Sequence, residues 1–403
     1  MTLWAGRVET ELAPEVREFL RAKDRELLPY DCEGTLLHAQ RLRAAGLLSP
    51  EELQYVGQRL AEIAQNPVLV EDEDEDVHSA IERLLGPVGR KIHAGRSRND
   101  QVATAHRLYV RDACDEACHA LAAFAEVLLE VADADAETPM PAYTHLQRAI
   151  PITVGHHVLA WTEMLERDRA RFVFARTQAS PSPLGAGAVA GSTLSLPPPP
   201  EPMRNSVDAV ADRDFVLDYL YACAALFVHL SRIAEELCLW VTSEFGFAAL
   251  PEDAATGSSM MPQKLNPDVA ELARGKAGTA IGRLTGLLAT VKGLPLAYNS
   301  DLAEDKQATF RAREDVRLAL AALATLVAGL ELDRDRLAGA AGDPLLLATD
   351  AAEALVREGV PFRDAHEQVA ASVRTGTFEP PPPAPRLGDV HAAVAEAKER
   401  WGC

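Results

Sequence analysis

The sequence predicts an all-α protein with a long central helical bundle flanked by small helical units. Three observations carry this expectation. The stretches Arg96–Thr138 and Asn205–Phe245 contain neither proline nor glycine. Within them apolar residues recur three or four apart, as at Val207, Val210, Phe215, Leu217, Tyr221 and Val228, which is the spacing of one helix face. Alternating polar and apolar runs, the mark of a strand, are few. Periodic segments well beyond about 25 residues mark bundle helices, each extending on the order of 60 Å.

Taken in chain order, residues 1–96 read as an N-terminal helical unit, 97–335 as the central bundle and 336–403 as a small C-terminal helical unit. The acidic run Glu71–Asp76 reads as a solvated lead-in to the helix that carries His78. A third long helix is expected to start near Pro151, with Val154, Val158, Trp161 and Leu165 on one face. A fourth is expected at Pro267, with Asn266 as N-cap and Asp268 matching the helix dipole. In that helix Gly278, Gly282 and Gly286 recur every four residues. Glycine weakens a helix, so a repeated glycine face points to close approach by another helix. The proline runs Pro197–Pro200 and Pro380–Pro383 read as exposed extended connections.

Composition narrows the partners. A formal net charge of −20 argues against nucleic acid or an anionic membrane as partner, because both need a clustered basic surface. Six cysteines form no CxxC pair and no metal-ligand spacing, and Cys114 and Cys118 read as buried thiols. With no signal-peptide pattern at Met1–Gly6, a reducing cytoplasm is the expected location. The apolar stretch Phe215–Leu230 holds Asp218 and His229, so it does not read as a membrane span.

Four segments carry polar residues that core packing does not require: HAGRSRNDQ (93–101), THLQ (144–147), GSSMMPQKLNP (257–267) and YNSDLAEDK (298–306). The third offers hydroxyls, one cation and an amide just before a helix N-terminus, an arrangement suited to a carboxylate or a developing oxyanion. It matches neither a P-loop nor the G-x-S-x-G elbow. His145 can exchange protons near neutral pH or can serve a structural role. Arg96 and Arg98 can recognise a dicarboxylate, or form surface salt bridges at a helix entry.

Together these segments resemble the argininosuccinate lyases of the fumarase/aspartase superfamily. The resemblance runs in unbroken order through LWAGR (3–7), EDVHSAIE (75–82), HAGRSRNDQVAT, MPAYTHLQRAIPIT, SPLGAGAVAG (182–191), NSVDAVADRDF, ATGSSMMPQKLNPDVAELARGK and GLPLAYNSDLAEDK, and more faintly VPFRDAHE (360–367). The SSxMPxKxNP loop marks the superfamily; RSRNDQVAT, YTHLQRA and the segment ending in EDK mark this branch.

The resemblance implies a fumarase/aspartase-like fold and a reversible β-elimination of argininosuccinate to arginine and fumarate, the last step of arginine biosynthesis. It implies Ser258, on a mobile loop, as general base. Lys264 and Asn266 would stabilise the aci-carboxylate intermediate, and one well-placed donor contributes about 2.7–4 kcal/mol to such a state. His145, held by Glu271, would take part in proton transfer to the leaving guanidino nitrogen. Asn99, Thr144, Tyr298 and Lys306 match substrate contacts, and Arg96, Ser97 and Arg98 belong to the same binding segment. The resemblance further implies a homotetramer with sites composed from three subunits, the bundle forming the oligomerisation core, and neither metal nor organic cofactor. Three positions depart from the family pattern: Leu20 stands in place of a serine, Ala94 of a threonine and Ala303 of a glutamine. Each loses a side-chain hydrogen bond of about 0.5–1.5 kcal/mol. The departures at Leu20 and Ala303 leave as an alternative a related lyase acting on another N-substituted aspartate or succinate; the alternative from a different class is a non-catalytic structural relative of the crystallin kind, against which retention of Ser258, His145, Lys264 and Glu271 argues.

Overall fold

The structure is a computed structural model describing residues 12–382 and 384–402. The LWAGR segment, Met1–Gly6, Pro383 and Cys403 lie outside these residues.

Helices dominate. Those that position the site are α1 (Leu28–Ala44), α2 (Val77–Leu85), α3 (Arg98–Ala134), α4 (Val154–Gln178), α5 (Asp214–Trp240), α6 (Asp268–Val291) and α7 (Asp305–Ala328). The longest, α3, has 37 residues. The hairpin of β1 (Pro139–Thr144) and β2 (Gln147–Thr153) joins α3 to α4. A two-residue ladder pairs β3 (Thr256–Gly257) with β4 (Leu265–Asn266) just before α6.

The expected long helices form, with three corrections. The run Asn205–Phe245 is not one helix: a short helix, Ser206–Ala211, stops before α5 begins at Asp214. The break turns the Arg213 side chain inward, where it meets the buried carboxylate of Asp305. The third long helix starts at Val154 rather than Pro151, which lies in β2. Helix α6 starts at Asp268, with Asn266 in the ladder and the Pro267 carbonyl accepting the Glu271 amide at 3.0 Å.

Two compact units emerge. One comprises the described residues up to Cys118, Ala170–Ala225 and Gly278–Val316; the other comprises His119–Arg169, Leu226–Ala277 and the described residues from Arg317 onward. In the first unit Tyr109 packs edge-on against Tyr30 and Phe310, with ring centroids 5.2 and 4.9 Å apart. In the second, Trp161 and Trp240 lie 5.3 Å apart between α4 and α5.

Capping explains where helices begin. Asp76 accepts the Ser79 amide at 2.7 Å while the Ser79 hydroxyl receives the Asp76 amide at 3.0 Å, starting α2. The acidic run thus ends in a helix cap, and Glu71 and Asp74 pair with Arg83. No described cysteine is in a disulfide; Cys114 is buried and Cys118 half-buried. One described helix, α5, is long and apolar enough to cross a membrane, and 56% of its apolar window is buried inside the protein. Histidines 156 and 157 separate: His156 is exposed, and His157 pairs with Glu236 on α5 at 2.9 Å.

His38 on α1 gives the first unit an acid weakness. Its Nε2 faces the Ala94 carbonyl at 3.0 Å and its Nδ1 faces an Arg41 guanidinium nitrogen at 3.3 Å. That pattern fits a neutral ring, donating at one nitrogen and accepting at the other. Burial, then the cations Arg96 and Arg41, push its pKa down to about 3. The unfolded chain takes up this proton near pH 6.5 and the folded chain does not. Stability from this group is therefore whole above pH 6.5 and drains away as pH falls toward 3, by up to about 1.4 kcal/mol per pH unit. The thermal midpoint is expected to drop between pH 6.5 and 4, and His38→Gln to flatten that slope; an unchanged slope would refute the assignment.

Candidate active site

In the second unit, the two-residue turn of the β1–β2 hairpin is His145–Leu146. Both residues have positive φ, 55° and 57°, the backbone of a type I′ turn that normally takes Asn-Gly. Such left-handed backbone costs a non-glycine residue about 1–2 kcal/mol. The strain holds His145 at the tip of the turn, exposed and adjacent to Thr144. Leu146 is 70% exposed, so it gains little from burial. Leu146→Gly is therefore expected to raise stability by about 1 kcal/mol, read as a higher thermal midpoint. A loss of stability would show that the leucine side chain, not the turn, matters.

The loop 257–267 is closed at its base by the β3–β4 ladder, which pairs Thr256 with Asn266 and Gly257 with Leu265. Ser258 follows directly. Its hydroxyl oxygen accepts the backbone N–H of Met260 at 3.3 Å and of Met261 at 3.0 Å. Lys264 is exposed on the same loop, and its amide bonds to the Met261 carbonyl at 3.1 Å. The tip is open to solvent, with Met260 88% exposed. Thr256 donates to Asp268, tying the ladder to the first turn of α6. Glu271, in the same turn, pairs with Arg274 at 3.5 Å, and Arg274 with Glu235. Among the described residues, no hydrogen bond or ion pair joins His145 to Glu271.

In the first unit, Ser97 caps α3. Its amide donates to Asp100 at 2.9 Å and its hydroxyl accepts the Asn99 amide at 3.3 Å. Asp100 is fully buried, and its other oxygen accepts the amides of Gly185 and Gly187, each at 2.9 Å. This carboxylate pins the glycine-rich segment to the start of α3, where the Asn99 side chain reaches the Ala188 carbonyl at 3.4 Å. Gly185, at φ 102°, lies so close to the Arg41 guanidinium that a Cβ would sit 2.6 Å from it. Arg96 donates to Thr35 at 2.9 Å, and Arg98 pairs with Asp76 at 3.2 Å.

Lys306 is 2.9 Å from Asp305, whose carboxylate has no exposure. Asp305 also meets Arg213 and, at 3.3 Å, His106. Burial alone would raise the Asp305 pKa, but Lys306, His106 and Arg213 outweigh it and hold the carboxyl well below its ordinary range. Burial lowers the pKa of His106 in the same cluster. Tyr298 is 37% exposed, and its phenol pKa is pushed up by partial burial against the pull of Arg213. The preceding Ala297 takes φ 68° and packs against Ala186, Ala209 and Val210. A cavity of about 770 Å³ opens in this unit beside Asp24, Glu26, Glu75, Asp76, Gln307 and Arg311.

Asp100, Asp305, Arg213 and His106 are residues that the sequence reading did not single out. Asp305 does stand beside Lys306 in the EDK motif, and Arg213 lies inside NSVDAVADRDF. Among the described residues no three His, Cys, Asp or Glu side chains gather as a metal site.

Residues 21–282 match the protein family described as Lyase, and residues 345–379 the family described as Argininosuccinate lyase C-terminal. An argininosuccinate lyase of Synechococcus sp. (strain JA-3-3Ab) is 45% identical over 395 residues, covering 93% of this chain and 81% of its own. An EDDS lyase solved in complex with formate superposes with TM-score 0.77 at 25% identity, over 98% of this chain and 92% of its own. A class II fumarase from Schistosoma mansoni shares the fold, with TM-score 0.77 at 14% identity, over 95% of this chain and 88% of its own.

The long-helix fold is that of the fumarase/aspartase superfamily of lyases. Within it, the chain belongs to the argininosuccinate lyase family.

Proposed function

We infer that the chain cleaves argininosuccinate to arginine and fumarate by β-elimination. Family membership along nearly the whole chain supports this. The observation that carries the chemistry is the Ser258 hydroxyl, whose oxygen already accepts two backbone N–H groups. In this reading Ser258 takes the proton from the succinyl Cβ. The electron pair passes into the adjacent carboxylate, where Lys264 and Asn266 meet the developing charge. The Cβ electrons then form the fumarate double bond as the carbon–nitrogen bond breaks. His145 supplies the proton that leaves with the guanidino nitrogen. Asn99, Thr144, Tyr298 and Lys306 hold the substrate, with Arg96, Ser97 and Arg98 shaping the segment that presents Asn99.

The reading includes a cytoplasmic homotetramer, with residues 97–335 as its core between 1–96 and 336–403. His145 lacks Glu271 within one chain, and a second copy's carboxylate supplies it. Apolar surface on α6 supports such association: Leu272 is 66% exposed, Leu288 48% and Ile281 47%. A Cβ built on Gly275, Gly278, Gly282 or Gly286 would meet nothing within 4 Å. The glycine face is thus open to another helix.

The test is to incubate the purified chain with argininosuccinate, following fumarate by ultraviolet absorbance and arginine separately, with light scattering on the same sample. Equal yields from a particle four times the 43.5 kDa chain mass are expected. A monomer would overturn the composite site. A second reading, a lyase for another N-substituted aspartate, is favoured by the exposed Leu20 and Ala303, which supply no side-chain hydrogen bond. Fumarate from other N-succinyl compounds, with none from argininosuccinate, would establish it.

A further inference from the structure

The start of α6 serves two parts of the elimination. Asp268 receives the Thr256 hydroxyl at the base of the Ser258 loop, and Glu271, in the same turn, is the carboxylate assigned to His145 of a second copy. Arg274 lies three residues further on and spans two helices. Its Nη1 donates to Glu235 Oε2 on α5 at 2.5 Å, and its Nη2 lies 3.5 Å from Glu271 Oε1. All three charges act on the thiol of Cys238, one turn from Glu235 on α5. A single guanidinium therefore ties the carboxylates of α5 and α6 together.

Stability does not account for this arrangement. The Glu235 and Glu271 side chains are 52% and 51% exposed and Arg274 is 35% exposed, and ion pairs so well solvated contribute little to the folded state. Orientation does account for it. Leu272, beside Glu271, is 66% exposed, an apolar surface of the kind that a second copy covers. A glutamate that must meet an imidazole on such a face loses its rotamer freedom when the copies dock. Holding it beforehand removes that cost, and desolvation then strengthens the contact it makes.

We propose that Arg274 is a positioning residue for the elimination: anchored on Glu235, it holds Glu271 Oε1 so that the other oxygen meets the imidazole of a second copy's His145. This rests on the pairing of His145 with Glu271 in the proposed function. The anchor also sets the charge. Paired with Glu271 alone, the guanidinium would cancel much of the negative charge that favours the imidazolium. Glu235 takes up that cation, so the three side chains together keep one net negative charge facing His145. Arginine suits the task, because its planar fork offers separate N–H groups to two acceptors, where a lysine is a point charge.

A double-mutant cycle on argininosuccinate turnover by the full chain tests this. Arg274→Met is expected to lower kcat by about tenfold with KM changed only a few-fold, and Glu235→Gln to lower it in the same direction by less. Glu271→Gln should cost at least as much as Arg274→Met, and the double variant should be no slower than Glu271→Gln alone. Thermal midpoints should stay near wild type throughout, since the pairs are solvated. Losses that multiply in the double variant would overturn the proposal, because Arg274 would then act independently of Glu271. Unchanged kcat in Arg274→Met would overturn it too. A wild type that forms no fumarate would sink the parent reading alone. The same cycle is then read from the rate at which diethyl pyrocarbonate modifies His145. Arg274→Met must raise that rate, as the ring loses its hold on a proton, and must add nothing in the Glu271→Gln background.

Discussion

Ser258→Ala is expected to lower kcat for fumarate formation by about a thousandfold, with KM changed only a few-fold, because a positioned general base contributes roughly 10²–10⁴. A serine is a poor base in water, so its oxyanion must be stabilised where it forms. The Ser258 oxygen already receives the amides of Met260 and Met261, and Lys264 sits six residues on in the same loop. The ladder at the loop's base fixes where the segment starts and ends. Alanine keeps the loop, both amides and Lys264, and removes only the atom that accepts the proton. Binding should survive while the chemical step fails, a pattern that misfolding does not produce. If Ser258→Ala retained kcat within about tenfold of wild type, Ser258 would not be the base, since that loss lies below the range for one. His145 would then become the group to replace.

How much of this was legible beforehand differs by element. The long helices were readable because lack of breakers and a 3.6-residue period act over dozens of positions. The β1–β2 hairpin was not. Pro141 and Pro151 interrupt any alternating pattern, and the turn carries His-Leu where the hairpin signal is Asn-Gly. Local rules failed there because the backbone is strained at a candidate catalytic residue, where such strain tends to collect. The stop between Ala211 and Asp214 was equally hidden, since neither Asp212 nor Arg213 is a helix breaker. That stop is set by partners far along the chain: Arg107 binds Asp212, and Arg213 reaches Asp305. Motif resemblance picked out Lys306, which the proposed reading sets against the substrate. It could not show that the neighbouring Asp305 is a buried hub, because burial belongs to the packed chain.

That hub supports the last prediction. Asp305→Ala is expected to destabilise the protein by about 3–5 kcal/mol, the usual result of removing one partner from a buried ion pair. Arg213 is 2% exposed at its side chain and, among the described residues, has no other carboxylate within ion-pair distance, and Lys306 is 12% exposed. Alanine would leave both cations facing a low-dielectric interior, with His106 beside them. The sign with pH follows from the depressed pKa of Asp305. Its contribution is whole above the unfolded-state value near 4 and is lost as pH falls through the lower folded value. Wild type and variant should therefore differ by a constant amount from pH 5 to 8, and converge in stronger acid. Chemical denaturation midpoints across that range measure it. Pairing Asp305→Leu with Arg213→Met removes both charges, so it should recover much of the stability, as apolar replacement of a buried pair often does. It should leave KM for argininosuccinate raised, because Lys306 has lost the carboxylate that aims it. Full recovery of KM in the double variant would show that Asp305 serves the fold alone.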